Sequence, residues 1–494
     1  MKKITRRNFL RYSAEGIGCL TAAVHMPMLL PRTASGAVGS NVFNIAVISD
    51  TQNYCDNAKS QPSSKAYFIQ QTQYIADHKD DMNIVFVSHV GDVVQHGDGT
   101  KGTGDAYYGA GAEWDRAVEA MDILEPTGIP FGLAIGNHDY DNYSYSSGNR
   151  PLKSTVMWNK YFGSDTYYFT GKSWYGGASD DKSFDPGLSS YQTFAAGGKK
   201  FLHIALEMEA GDDAIAWAQQ VVDAHPNYAT IVTTHSYLNP PKKTDHSEPY
   251  VVAAERIKAS YLTNSPGGWN SAQGVWDKFL SKNAQIFLVL CGHAWNSADA
   301  GVSNSENIRI DDNDAGLPVY QILSDYQGNT AAGSPGGDGW YRFMEFDMNT
   351  GKIHFITYST ALDKYAGLND EWSFNQPPLF SDFSLDIPSQ VLDAAPQVDV
   401  VSSSFSYSRA TKLYTGKLTL TNSSLTALTG TVGLALNDLA SGVTLTNATG
   451  TYNSAPAITV STSGLAVGAS IVVPVQFSDP SNAKIAFTPL VFNE

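Results

Sequence analysis

The sequence predicts an α/β protein with a largely buried sheet, followed by a small all-β, immunoglobulin-like sandwich domain. Two observations carry this. From Val42 to about Thr360, short apolar runs alternate with stretches of helical periodicity, the pattern of strands covered by helices. Near Pro388 the composition shifts: residues 395–494 hold only eight charged side chains, no His and no Cys, and alternate Thr and Ser with Val and Leu in short runs. Segments of that kind pack as two sheets. The chain has 494 residues, too many for one ordinary core. Its expected divisions are a leader over 1–37, an α/β domain over 38–390 and the β-sandwich over 395–494.

Taken in order, the N-terminus comes first. Thr5-Arg6-Arg7-Asn8-Phe9-Leu10-Arg11 resembles a twin-arginine export signal; an apolar stretch from Ile17 to Leu30 follows, and Ser35-Gly36-Ala37 offers small residues for cleavage. Gly16-Ile17-Gly18 is a poor lipobox for Cys19. The expected partner of this segment is the twin-arginine export machinery, and the expected location is periplasmic or secreted. Lys+Arg number 32 and Asp+Glu 48, a net charge of −16. The leader carries six Lys and Arg against Glu15, so its loss of net +5 leaves the mature chain near −21. Such acidity argues against general nucleic-acid binding, which needs a cationic face. Three cysteines exclude a disulfide scaffold and a multi-thiolate zinc site. No later segment has the roughly 20 apolar residues of a membrane span.

In the α/β region the apolar runs end at Asp50, Asp92, Asn137, His235 and His293, with helical patterns over 66–79, 113–124, 213–224 and 274–282. Each run therefore closes on a side chain able to bind metal or phosphate. In such sheets the ligand site lies at the carboxyl ends of the strands. Two Gly- and Tyr-rich stretches, Gly97 to Gly111 and Tyr140 to Gly187, follow these residues. They read either as loops over the site or as surface insertions, and Tyr107, Tyr108, Tyr140, Tyr143 and Tyr145 either stack on a base or sugar or pack the loops down. Residues 341–358 read as a hairpin turning at Asn349-Thr350-Gly351.

Together, Asp50-Thr51-Gln52, Gly91-Asp92, Gly136-Asn137-His138-Asp139, His235 and Gly292-His293 resemble the motifs of the calcineurin-like metallophosphoesterases, in that family's order, over roughly Val42 to Thr360. The Gly-Asn-His-Asp tetrapeptide after an apolar strand is the most specific element. The resemblance implies a four-layer α/β/β/α sandwich holding two metals, with Asp92 bridging them. It assigns Asn137, His235 and His293 with Asp92 to the second metal, and Asp50, Gln52, Asp92 and position 295 to the first. It also gives His138 the leaving oxygen, with Asp139 orienting its ring. Two divalent cations about 3.5–4 Å apart can clamp a phosphoryl group and generate a hydroxide, so no Ser or Cys nucleophile is required.

The sequence departs from the family at two positions, with Gln52 and Trp295 where histidines are usual. Gln can coordinate through its carbonyl oxygen, whereas the indole nitrogen of Trp only donates. The first site is therefore expected to be weaker and to favour Mn²⁺, Mg²⁺ or Ca²⁺ over Zn²⁺, or to fill only with substrate phosphate. For the centre as a whole, one or two ions of Mn, Fe, Mg, Ca or Zn remain open. Ser324-Asp325-Tyr326-Gln327 and Gly336-Gly337-Asp338-Gly339-Trp340 are similar to exported bacterial members that carry Asp-Thr-Gln in the first motif, and the topology brings Tyr326 and Gln327 near the site.

Other candidates read more plainly. His89 points into the core or across the sheet; His78, His203, His225, His246 and His354 match no ligand spacing; His96 could reach substrate. Cys55 and Cys291 flank motifs and are expected as buried free thiols, with a bridge as the alternative. The sequence thus predicts an exported, metal-dependent phosphoesterase using a metal-bound hydroxide on phosphomono- or phosphodiesters, its substrate a small or nucleotide-like phosphoester. The alternative is a weakened binding protein with one structural metal. The C-terminal domain is expected to contact polysaccharide or protein.

Overall fold

The computed structural model describes residues 41–56, 65–97, 112–141, 155–179, 187–240, 255–258, 269–295, 306–328, 336–366, 381–392, 398–422, 427–452, 454–480 and 485–493. The expected leader, His246, and Tyr107, Tyr108, Tyr143 and Tyr145 lie outside them. The chain divides into two compact units, Gly198–Lys200 grouping with Asp393–Glu494 and the remainder forming the larger unit.

The larger unit begins with β1 (Val42–Ile48), α1 (Gln52–Cys55), α2 (Lys65–Asp77), β2 (Ile84–His89), α3 (Ala112–Leu124), β3 (Phe131–Leu133) and α4 (Val156–Phe162). Strands β4 (Tyr175–Ala178), β5 (Ser190–Ala196) and β6 (Lys199–Ala205, its residues from Phe201 onward in this unit) follow, then α5 (Asp212–Ala224), β7 (Ala229–Ser236), α6 (Ala272–Lys278) and β8 (Ile286–Gly292). The run closes with β9 (Glu306–Asp312), β10 (Pro318–Ser324), β11 (Trp340–Asp347), β12 (Lys352–Ser359), β13 (Lys364–Tyr365) and β14 (Asp382–Asp386).

Two mixed sheets result. The first runs β13-β12-β11-β1-β2-β3 with β14 beside β12, and the second β4-β5-β6-β7-β8-β10-β9. Strands β1, β2 and β3 are mutually parallel, as are β6, β7, β8 and β10 along the second sheet. The expected hairpin is present: β11 and β12 pair antiparallel from Trp340↔Ser359 to Asp347↔Lys352.

Burial follows periodicity. On α5, Ala214, Ile215, Ala218, Val221 and Val222 are buried, the three- and four-residue spacing of one helical face, while Asp212 and Asp213 sit in the first turn, where the helix dipole favours them. With α6 this face packs on Leu202, Ile204, Val232 and Val289 of the second sheet. Helices α2, α3 and α4 cover Ala46, Ile48, Val87 and Phe131 of the first. A third apolar cluster draws Phe43, Ile45 and Phe86 from the first sheet and Phe201, Ile231 and Leu288 from the second. Polar groups also sit in that seam. His203 bonds Gln192 and Thr233, and Thr233 reaches Ser88 of the first sheet at 2.8 Å. The small unit is all-β, with a five-stranded and a four-stranded sheet around Leu418, Leu434, Val475 and Phe477.

Two expectations are adjusted. The run ending at Asn137 holds a strand of only three residues, because β2, its one partner among the described strands, ends at His89. The described part of the Tyr140 to Gly187 stretch packs inward: Tyr140 is fully buried, and Trp158, Phe162, Tyr168 and Phe169 join the core around Phe131. Tyr140 is thus withdrawn from any stacking role.

Candidate metal centre

The side chains at the strand ends converge. Asp50 follows β1 by two residues, and Asp92 follows β2 by three. Asn137 and His138 lie in a short 3-10 turn after β3, His235 is the penultimate residue of β7, and His293 comes directly after β8. All are buried apart from a partly covered His293. Two glycines make the approach possible. A Cβ on Gly136 would lie 2.1 Å from Asp92 Oδ1, and Gly91, at φ +108°, brings its backbone against His235, where a Cβ would lie 2.7 Å from Nδ1. Asp92 and His293 themselves have φ of 52° and 71°, left-handed conformations costing of order 1–3 kcal/mol each and typical of functional sites.

His235 is oriented unambiguously. Its Nδ1 donates to the Val90 carbonyl at 2.9 Å, since a carbonyl only accepts. Nε2 then faces Asp92 Oδ1 at 3.1 Å and Asn137 Oδ1 at 3.3 Å. A lone pair cannot sit against two acceptor oxygens, so a proton or a cation must lie among them. Burial opposes charge on this imidazole, but the Asp92 carboxylate, by charge and hydrogen bond, and Asp50 pull it up to about 10 in the chain alone. The ligand atoms of Asp92, His235 and His293 all lie within 4.8 Å of one another. Burial and the His235 charge push His293 down to about 3, leaving a neutral imidazole able to coordinate. This donor set fits a divalent cation of the N/O-binding kind.

The other half of the centre is oxygen-rich. Asp50 accepts the His293 N–H at 3.0 Å and the Ser49 hydroxyl at 3.1 Å. Gln52 Nε2 lies 3.1 Å from Asp92 Oδ2 and 2.5 Å from Gln327 Oε1, while its own Oε1 is buried with no hydrogen-bond partner. Among the described residues, Asp50 pairs with His235, and Asp92 with His235 and His138. Burial first, and then the Asp325 carboxylate, hold Asp50 well above its usual range. Clustered buried carboxylates and an orphaned amide oxygen are what a cation relieves. Asp325, fully buried just past β10, was not among the expected site residues. The signal existed, since VYQILSD is a further apolar run closing on Asp.

The role expected for Asp139 is corrected. Its carboxylate accepts from Gly136 N at 2.9 Å and Val94 N at 3.1 Å, closing the turn that carries Asn137 and His138. The imidazole of His138 is instead held by the Gln95 carbonyl, 2.9 Å from Nδ1, which leaves Nε2 3.9 Å from Asp92 Oδ2. With one backbone N–H on each oxygen, the Asp139 carboxylate is fixed toward Gly136 and Val94, and the ring nitrogen it was expected to orient bonds Gln95 instead. The Gln95 segment is braced by Glu113, which accepts the N–H groups of Gln95 and His96 at 3.0 and 2.8 Å and binds His96 Nδ1 at 2.9 Å. His96 is engaged there.

Of the remaining candidates, Gln327 reaches the centre but Tyr326 does not: its hydroxyl donates to Glu306 at 2.7 Å. His89 lies in the core, bonded to Thr51 at 3.0 Å. Cys55 and Cys291 are buried free thiols. Trp295, 42% exposed, lies with its ring against Gly328, where a Cβ would come within 2.4 Å of Cε3.

Residues 43–295 match the calcineurin-like phosphoesterases. Over 322 residues the chain is 29% identical to the Uncharacterized protein YvnB of Bacillus subtilis (strain 168), a match covering 65% of this chain and 20% of that protein. The chain thus spans about a fifth of that relative's length. Among solved structures, Chitinase ChiA74 from Bacillus thuringiensis is 10% identical, with 85% of this chain and 63% of that one covered, at a TM-score of 0.14. A family GH18 chitinase from Chromobacterium violaceum is 9% identical over 85% and 70%, also at 0.14. At those TM-scores neither bears on fold or function.

Proposed function

The chain belongs to the calcineurin-like phosphoesterase family, and from that premise we propose that it hydrolyses phosphomono- or phosphodiesters with water activated at a centre of divalent cations. The observation that carries this is the convergence of His235 Nε2, Asp92 Oδ1 and Asn137 Oδ1 beside His293. A bound divalent cation would supply Lewis acidity and lower the pKa of a coordinated water. Asp92, Asn137, His235 and His293 would hold one ion, and Asp50, Asp92 and Gln52 the other. His138 donates Nδ1–H to the Gln95 carbonyl, so Nε2 would carry a proton for the leaving oxygen only as imidazolium, a form that burial disfavours and the nearby Asp92 carboxylate favours. Asp139 supports that turn rather than the ring.

The helix-covered sheets packed through a shared apolar seam support reading the larger unit as a four-layer sandwich. The two sheets of the small unit support an immunoglobulin-like reading; contact with polysaccharide or protein is the role proposed for it. Residues 1–37 support twin-arginine export to the periplasm or beyond. No helix among the described residues is long and apolar enough to cross a membrane.

The test is hydrolysis of p-nitrophenyl phosphate and bis(p-nitrophenyl) phosphate by the full chain with Mn²⁺, beside His293→Ala. Turnover in the wild type and its loss in the variant are expected; equal rates in both would reject this site. A second reading, a weakened binding protein with one structural metal, is favoured by the non-coordinating Trp295. It predicts bound metal without turnover on either ester.

A further inference from the structure

We propose that Gln327 is an oxygen donor to the cation held by Asp50, Gln52 and Asp92, set in place by Asp325 and making up for the ligand that Trp295 does not provide. The proposal rests on the reading of this centre as a metal site.

The orientation of Gln327 is fixed by chemistry. Asp325 accepts the Gln327 backbone N–H at 2.9 Å through Oδ1 and the Gln327 Nε2 at 2.9 Å through Oδ2. A carboxylate facing a side-chain amide takes its NH₂ end, so the Gln327 oxygen is directed away from Asp325. It lies 2.5 Å from the amide of Gln52, whose same end lies 3.1 Å from Asp92 Oδ2. The two ends of the Gln52 amide are nearly equal in size, so its orientation follows its surroundings. With Nε2 inward it bridges two oxygens and leaves Oε1 buried without a partner. With Oε1 inward, three oxygens from Gln52, Gln327 and Asp92 meet at one point and the NH₂ end takes the partnerless position, so only a cation among the three oxygens offsets the two hydrogen bonds given up.

The resulting set is all oxygen: two carboxylates, two amide carbonyls and solvent. Hard cations accept such a set, and Mn²⁺ or Mg²⁺ suits it better than Zn²⁺. Trp295 also finds a use. Its ring lies against Gly328, beside Gln327 in the chain, so the residue that removes a histidine ligand supports the segment delivering the replacement. Asn53 Nδ2 fixes the same segment by donating to the Gln327 carbonyl at 3.2 Å.

The experiment counts Mn²⁺ bound to the chelator-treated full chain by electron paramagnetic resonance of the free ion. Wild type is expected to bind two. Gln327→Met, close in shape but without a hard donor, should keep one ion at unchanged affinity and bind the second at least about tenfold more weakly. Gln327→Glu, which keeps an oxygen there, should restore two. Should Gln327→Met fail to fold, Asp325→Ala, which frees the Gln327 amide, carries the same expectation. Two ions at wild-type affinity in Gln327→Met (or in Asp325→Ala, where that replaces it) would overturn the proposal, as would Gln327→Glu behaving like Gln327→Met. A single ion in wild type, removed by His293→Ala, would overturn it while leaving a one-metal hydrolase standing. No ion in wild type would overturn both.

Discussion

His235 Nε2 lies 3.1 Å from Asp92 Oδ1, a contact between a strand of one sheet and the residue just past a strand of the other. The centre therefore depends on both sheets ending together, and the glycines beside it are spacers for that meeting. Gly136→Ala tests this most sharply, because its Cβ would lie 2.1 Å from Asp92 Oδ1. The expected outcome is a folded chain that loses bound metal by elemental analysis and loses more than about a hundredfold in turnover, beyond the usual cost of disturbing a ligand's supporting group. Normal metal content would show that Asp92 is free to shift without consequence.

His138 and Asp139 should separate cleanly. His138→Ala keeps its metal but slows poor leaving groups by about 10²–10⁴-fold, with nitrophenyl esters far less affected. Asp139→Asn turns an NH₂ toward one of two backbone donors and should cost about 1–3 kcal/mol of stability, read from denaturant midpoints, without changing leaving-group dependence. A leaving-group effect in Asp139→Asn would return the orienting role to Asp139.

Arg342 and Glu306 form a buried ion pair between β11 and β9, joined by Thr357 and the Tyr326 hydroxyl. Replacing Arg342 with Met strands the carboxylate and should cost about 3–5 kcal/mol. Tyr326→Phe should lower stability by about 1 kcal/mol and leave turnover alone. A fall in turnover would place Tyr326 back at the site.

Burial holds His203 down to about 3, against 6.5 unfolded. Between those values the unfolded chain binds the extra proton, so this contribution is full above about pH 6.5 and is lost as the pH falls toward 3. From pH 7 to pH 5 the loss is about 2 kcal/mol, and His203→Gln should remove that part of the acid sensitivity. Identical acid profiles for variant and wild type would mean that His203 accepts its proton while folded.

Much of the centre was legible because strands end where their apolar runs end, and a polar residue at each end is conspicuous in sequence. Asp50, Asp92, Asn137, His235 and His293 are brought together in that way. What was not legible depends on hydrogen bonds between segments distant in sequence. Nothing local says that Asp139 turns to Gly136 and Val94, or that the ring of His138 is held by a backbone carbonyl. Topology places Gln327 near the site, but its orientation needs the Asp325 carboxylate, a contact that no local sequence signal specifies. Tyr326 lies past the end of β10, and there its hydroxyl turns to Glu306 while Asp325 holds its neighbour Gln327 at the centre.

The most direct measurement is turnover of bis(p-nitrophenyl) phosphate as a chelator strips metal from the full chain, with metal content followed in parallel and Mn²⁺ then restored. Activity should fall with the bound metal, return with Mn²⁺, and be absent throughout in His293→Ala. Undiminished turnover after complete stripping, or full activity in His293→Ala, would contradict a metal-dependent hydrolase built on this site.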